Sequence, residues 1–265
     1  MKKRSTKEIK LQAKKALQGH FGTVILGLLA VYGLNMLGTV LSTKLFSGTS
    51  ALDLILSEVF MLVVSLIVGI VSAGLGYMLL NISRGKEFSL GDLGYFFKNQ
   101  PDRVIIAGFV LAVIQLVTAI PYYYVSFTTD PGLTIDSQIQ WISMTLGLLA
   151  ISTLLNFLVS LPFAMTYYLM ADDTELGGIQ ALKESARLMK GNIWRYVKLN
   201  LSFIPLILLS VFTFYIALFW IMPYMEMSMT AFYRDLNGEL DHRLPGEGYN
   251  YDYSGDRYDD YNSEA

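Results

Sequence analysis

Residues Phe21 to Leu41 read "FGTVILGLLAVYGLNMLGTVL" and contain no charged side chain. About 20 helical residues, each rising 1.5 Å, cross a hydrocarbon core about 30 Å thick. The segment is therefore long enough to be a transmembrane helix. The whole chain of 265 residues agrees with this interpretation, since it is 53% hydrophobic and only 16% charged, whereas roughly a quarter of a soluble domain is charged.

The same length test predicts further spans at residues 59–80, 104–124 and 141–170. The last apolar region, Val197 to Tyr233, would be about 55 Å long as one straight helix, which is more than a bilayer needs. We expect it to break into spans at 197–213 and 215–234, or into one span followed by a surface helix. The sequence predicts an all-α, polytopic membrane protein with about six transmembrane helices in residues 21–236, five being the alternative.

Basic residues indicate the orientation. Residues 1–20 are predicted to form a basic amphipathic helix, whose cations are Lys2, Lys3, Arg4, Lys7, Lys10, Lys14 and Lys15. The positive-inside rule places this segment in the cytoplasm and the protein in the bacterial cytoplasmic membrane. The predicted partner of these side chains is the anionic cytoplasmic leaflet, each cation contributing about 1 kcal/mol. We expect no nucleic-acid partner, because the basic run adjoins a span.

Two further amphipathic segments are predicted on the cytoplasmic side, at 86–100 and 173–191. In the second, Leu176, Ile179, Leu182 and Met189 recur at helical spacing along one face. Each of the three surface segments precedes a pair of spans, a pattern that indicates three repeated units, although short amphipathic pieces also resemble one another by chance. Residues 237–265 are rich in Gly, Asp and Tyr and are predicted to be a disordered acidic tail.

Residues that carry chemistry are few. The chain has no cysteine, its two histidines lie far apart in sequence, and no metal or cofactor motif is found. We therefore expect no cofactor and no enzymatic activity. Polar residues within the spans are the remaining candidates for a functional role: Asn35, Asn156, Asn200 and Glu226.

Bonds between helices would explain the three asparagines equally well. Glu226 is either a functional group at depth or an interfacial carboxylate that pairs with Arg234 or Lys198.

Several segments resemble the bacterial integral-membrane family known as domain of unknown function 975. They are "SARLMKGNIWRY" at Ser185–Tyr196, "LNLSF" at Leu199–Phe203, "PY" at Pro223–Tyr224 and "AFYRDL" at Ala231–Leu236. The resemblance covers most of residues 1–236. It implies a polytopic membrane protein and supplies no catalytic residues.

Two hypotheses for the function follow. The first is a non-enzymatic accessory protein of the cell envelope that interacts with another membrane protein. The second is a transporter or lipid-handling permease, which the helix-breaking prolines and the repeated units favour. A polar cavity between the spans that contains Glu226 or Asn156 would favour the second hypothesis, and a solidly packed apolar core would exclude it.

Overall fold

The computed structural model describes residues 3–48 and 50–241, and within them it contains helices and no strand. The helices are α1 (Thr6–Leu17), α2 (Phe21–Leu45), α3 (Ala51–Ser83), α4 (Tyr95–Lys98), α5 (Pro101–Thr128), α6 (Ile135–Ser160), α7 (Thr166–Asp172), α8 (Gly178–Met189), α9 (Ile193–Leu201), α10 (Ile204–Ser210) and α11 (Leu218–Leu236). Short 3₁₀ turns occupy Leu90–Gly94, Leu161–Phe163 and Val211–Thr213. The chain folds as an all-α protein, as its sequence predicts.

Five helical stretches are long and apolar enough to cross a membrane: Phe21–Leu45, Leu52–Ser83, Pro101–Ser126, Ile135–Asp172 and Ile193–Thr213. The protein is therefore a polytopic helical membrane protein. The sixth predicted span, 215–234, corresponds to α11, which does not pass the same test. Glu226, Arg234 and Asp235 lower its hydropathy, and most of its second half is buried among other helices.

The helices pair into three antiparallel hairpins, namely α2 with α3, α5 with α6–α7, and α9–α10 with α11. In the second hairpin, Arg103 near the start of α5 donates to the carbonyl of Asp173, just after α7, at 2.9 Å. In the third, Arg195 near the start of α9 pairs with Asp235 near the end of α11. The ends of the second hairpin therefore meet, and so do those of the third.

These meeting points all lie at one end of the bundle, which we call the charged face. Arg234 at the end of α11 donates to the carbonyl of Ser83 at the end of α3, and Arg4 before α1 pairs with Asp235 at 3.2 Å. Residue 4 and residue 235 consequently lie at the same end of the helical bundle. Five stretches pass the test of length and hydropathy, and a sixth span stays a prediction.

The predicted repeat has a structural counterpart in two turns. The turn between α1 and α2 is type II: the His20 amide donates to the Leu17 carbonyl at 2.9 Å, and Gly19 has φ +80°. The turn between α8 and α9 repeats it, since the Asn192 amide donates to the Met189 carbonyl at 2.9 Å and Gly191 has φ +76°. The first and third units thus enter their spans through the same turn.

The segment predicted as an amphipathic helix at 86–100 has a different structure. It contains the 3₁₀ turn Leu90–Gly94 and the single helical turn of α4. Both pack against α3, where Gly74 has no side chain and lets the backbone of residues 92 and 93 approach closely. This backbone contact takes the place of a regular surface helix. The spacing of hydrophobic residues in the sequence does not predict it.

The other predicted surface segment, 173–191, contains α8, which begins five residues later at Gly178. Its buried face packs on α5, α7 and the 3₁₀ turn Leu161–Phe163. Ser185 is fully buried there, donates to the Pro162 carbonyl at 2.8 Å and accepts from the Met165 amide at 3.1 Å. The fourth apolar stretch breaks between α6 and α7, and Ser185 therefore forms hydrogen bonds with the backbone at this break.

The first residues of the predicted disordered tail, 237–241, are ordered in the structure. Residues 237–241 continue from α11 as a turn, because Glu239 pairs with Arg84 and with Arg234 at the charged face. The rest of the predicted tail, 242–265, lies outside the described residues, as does Lys2.

Candidate functional site

A cavity of about 390 Å³ lies between α2, α3, α7, α9 and α11. Apolar, aromatic and polar side chains line it: Leu28, Val31, Tyr32, Ser72, Leu75, Gly76, Leu79, Ala164, Tyr167, Tyr168, Tyr196, Asn200, Met225, Glu226 and Met229. Its volume falls within the range of about 300–1,000 Å³ that small-molecule sites occupy. The core of the protein is therefore not packed solid.

Glu226 is the charged residue of this cavity. It precedes Asp235 by nine residues of α11, so it lies about 13 Å from the charged face along the helix axis. Within the described part of the chain, no hydrogen bond or ion pair holds its carboxylate. The two predicted partners are engaged elsewhere, since Arg234 pairs with Glu239 at 3.0 Å and Lys198 lies over the Trp194 ring.

Four tyrosines and one asparagine line the cavity together with this carboxylate. They are Tyr32, Tyr167, Tyr168, Tyr196 and Asn200. Tyr168 is fixed by stacking on Tyr233, with ring centroids 5.4 Å apart. The Asn200 amide donates to the Tyr196 carbonyl at 2.9 Å. The site thus has one anionic group and aromatic walls held by neighbouring helices.

An apolar groove of about 230 Å³ adjoins the cavity, between α2 and the first half of α11. Leu28 and Tyr32 line both spaces. Leu29 and Phe219 in the groove are about half exposed, so it opens on the surface that faces lipid in a membrane. Pro223 also lines the groove and has no N–H to donate to the preceding turn of α11. Together the groove and the cavity lead from an apolar surface to a buried carboxylate.

A network of ionised side chains covers the charged face. Four arginines and four carboxylates form it, namely Arg4, Arg84, Arg195, Arg234, Asp172, Asp235, Glu239 and Asp241. Because the charges balance, the network can be partly buried without a net charge. We call it the charge network.

Asp235 is the most buried acid of the charge network, with only 1% of its side chain exposed. It accepts from Arg4 at 3.2 Å and from Arg195 through its other oxygen. Since Arg4 precedes α1 and Arg195 lies in α9, Asp235 ties both elements to the end of α11. The network therefore joins α1, α9 and α11 at the charged face.

Arg84 is the second centre of the network. It forms a bidentate pair with Asp172, at 2.7 and 3.0 Å, and also pairs with Glu239. Partial burial lowers the pKa of the Arg84 guanidinium, but its hydrogen bonds to Glu239 and Asp172 raise it further, and the net shift is upward. Arg84 therefore keeps its charge at every physiological pH and joins α3, α7 and the turn after α11.

Residues 1–239 match the family described as Protein of unknown function (DUF975). The chain belongs to the DUF975 family. No curated protein and no solved structure matches the chain. Two of the segments through which this DUF975 protein resembles its family contain residues of the charge network. Arg195 belongs to "NIWRY", and Arg234 and Asp235 belong to "AFYRDL".

The four polar residues predicted as candidates fall into three places in the DUF975 protein. Asn200 and Glu226 line the same cavity. Asn156 of α6 donates through its amide to the hydroxyl of Thr118 of α5 at 3.2 Å and so forms a hydrogen bond between helices. Asn35 is exposed on α2 and lines neither space. Only two of the four are therefore brought together.

The N-terminal cations also separate into two groups. Lys3, Lys7, Lys14 and Lys15 are exposed. Lys3 still donates to the Gly191 carbonyl at 3.5 Å. Arg4 and Lys10 are partly buried: the Lys10 ammonium donates to the Ser202 carbonyl at 3.0 Å and lies 3.7 Å from the centre of the Phe203 ring. Partial burial lowers the pKa of this ammonium group. Arg4 and Lys10 therefore contact other parts of the protein, whereas the sequence predicted that they contact the membrane surface.

Sequence reasoning did not identify the cavity tyrosines. Tyr32 lies within an apolar span, Tyr168 near the end of another, and Tyr196 follows Arg195. Each is ordinary in its own segment, and only packing of α2, α7 and α9 around α11 places them near Glu226. Within residues 3–48 and 50–241, no group of acids and histidines suited to a metal ion is found.

Proposed function

We propose that this DUF975 protein is a permease or lipid-handling protein that binds a small amphipathic molecule from the membrane in the cavity around Glu226. The observation that carries the proposal is an unpaired carboxylate in a space of about 390 Å³ between membrane-spanning helices. An acid within a membrane protein that only stabilised the fold would be expected to have a partner. The adjoining groove supplies a path from the lipid.

The proposal includes no enzymatic step and no cofactor, and the bacterial cytoplasmic membrane is its setting. A purely accessory role in the cell envelope stays a prediction, and so does a membrane-protein partner. The cavity supports the permease because an accessory protein has no need of an internal space with a charged group. Exposed cations of α1 would contact the anionic leaflet beside the charged face.

Filling the cavity tests the proposal. Ser72 lines the cavity on α3, whereas Ser65 is exposed on the same helix. We expect Ser72→Leu to reduce binding of octyl amphiphiles to the protein in lipid nanodiscs at least tenfold, because the larger side chain occupies the site. Equilibrium binding measured against empty nanodiscs checks it. Ser65→Leu is the matched control and should bind like the wild type; equal binding by both variants contradicts the proposal.

Orientation is a separate prediction. The chain has no cysteine, so single cysteines report their own accessibility. Asp130 lies in the loop between α5 and α6, and Lys86 lies after α3 at the charged face. Each is replaced by cysteine in turn. In intact cells we expect a membrane-impermeant maleimide to label Asp130→Cys and to label Lys86→Cys only after the membrane is opened. The reverse pattern would place the charged face outside.

A further inference from the structure

We propose that the ligand of the cavity carries a positively charged alkylammonium head, which binds beside Glu226, and an alkyl tail, which lies in the groove between α2 and α11. The inference rests on the proposed function and adds the chemical class of the ligand. Three properties of the two spaces lead to it: the sign of the charge, the kind of wall around that charge, and the polarity of the adjoining groove.

The side chains that line the cavity can supply negative charge but no positive charge. Glu226 lines it, and no Lys, Arg or His does so. A phosphate or carboxylate head would meet a like charge with no cation to balance it, which in a low-dielectric environment is strongly unfavourable. A cationic head instead supplies the ion partner that Glu226 lacks among the described residues. The electrostatics therefore select a cation.

The walls favour an organic cation over a metal ion. Calcium takes about six to eight oxygen ligands and magnesium about six, and the cavity offers one carboxylate, the neutral oxygens of Ser72 and Asn200, and tyrosine hydroxyls among apolar side chains. Ammonium groups have the opposite preference, because aromatic rings within about 6 Å attract them. Tyr32, Tyr168 and Tyr196 line the cavity together with Glu226 and supply such rings.

The groove accounts for the tail. Its lining is apolar apart from the tyrosine hydroxyls: Ile25, Leu28, Leu29, Tyr32, Tyr215, Leu218, Phe219, Met222 and Pro223. It shares Leu28 and Tyr32 with the cavity, and its volume of about 230 Å³ suits a short alkyl chain. A head in the cavity would thus continue into a tail that reaches the lipid-facing surface.

Binding of radiolabelled octyltrimethylammonium to the full chain in lipid nanodiscs tests the inference, with empty nanodiscs as the baseline. We expect Glu226→Gln to lower the affinity at least tenfold, because glutamine keeps the shape of the side chain and removes its charge. Folding should not suffer, since this charge has no partner to lose. Glu58→Gln is the matched control: Glu58 accepts a hydrogen bond from Tyr123 at 3.0 Å, outside the cavity, and its replacement should leave binding unchanged.

Competition identifies the head group. We expect unlabelled octyltrimethylammonium to displace the probe at least tenfold more effectively than octyl glucoside or octanoate. Octylphosphocholine, which carries a phosphate as in a lipid head group, separates a free ammonium amphiphile from a phospholipid: weak competition favours the free amphiphile, and competition equal to that of octyltrimethylammonium favours the phospholipid. Either result retains the ammonium head.

Failure of the inference differs from failure of the proposed function. If binding is lost in Ser72→Leu but unchanged in Glu226→Gln, the ligand has no ammonium head, although the proposed permease function stands. The same conclusion follows if the protein prefers octyl glucoside or octanoate. No binding of any octyl amphiphile above the empty nanodisc, or equal binding by Ser72→Leu and wild type, overturns both.

Discussion

Gly74→Ala should lower the free energy of unfolding by about 3 kcal/mol, at the upper end of the cost of overpacking. A Cβ atom at residue 74 would overlap the carbonyl oxygen of Leu93 and lie 2.7 Å from that of Asp92. Both neighbours are backbone atoms of the 3₁₀ turn Leu90–Gly94, so no side-chain rotation relieves the overlap. The turn must move away from α3, and its contacts there weaken.

The measurement is unfolding by SDS in mixed micelles, followed by the fluorescence of the three tryptophans. Gly33→Ala is the matched control, because a Cβ atom there meets nothing within 4 Å on α2. We expect it to cause no loss of stability. A loss in Gly74→Ala no larger than that in Gly33→Ala would show that α3 and the turn Leu90–Gly94 do not pack as closely as the structure indicates.

Hydrophobic length predicted most of the fold. The helices that contain residues 21–41, 59–80 and 104–124 are longer than these predicted spans, because each helix continues beyond the charge-free run into polar residues. Asp53, for example, lies in the first turn of α3, and Asp102 and Arg103 lie in the first turn of α5. The charge-free criterion therefore finds the centre of a span and not its limits. It also overlooks the break at Pro162, which Ser185 stabilises from another helix.

The candidate site was predicted only in part, for a different reason. Glu226 and Asn200 stand out because polar residues in apolar spans are rare. Nothing local distinguishes Asn200 in the cavity from Asn156 between α5 and α6 or Asn35 on the exposed side of α2. Which of them meets Glu226 depends on how five helices pack, and this information is spread over the whole chain.

Backbone packing and ions both hold the second hairpin. Gly178 begins α8 against α5, where a Cβ atom would lie 3.1 Å from the Ala107 amide nitrogen, and Asp172 at the end of α7 pairs with Arg84. In the third hairpin, Asp235 pairs with Arg4 and Arg195. Since α11 also carries Glu226, the charge network fixes the helix on which the cavity depends.

Asp235→Asn should therefore lower the free energy of unfolding by about 2–3 kcal/mol, somewhat below the cost of breaking a fully buried ion pair. The substitution keeps the size of the side chain but leaves Arg195 without a carboxylate and Arg4 with that of Asp241 alone. Those arginines are 18% and 21% exposed, so water partly compensates their charges, whereas Asp235 itself is 1% exposed. The same mixed-micelle unfolding measures the loss.

The matched control is Glu184→Gln, which breaks the pair between Glu184 and Arg187 on α8. That pair is also close, at 2.7 Å, but its side chains are 41% and 79% exposed, and exposed pairs contribute about 0–1 kcal/mol. We expect a loss below about 0.5 kcal/mol for this exposed pair. Equal losses in the two variants would contradict a structural role for the charge network. A large loss confined to Asp235→Asn, together with weakened binding of octyltrimethylammonium, would connect the network through α11 to the cavity around Glu226.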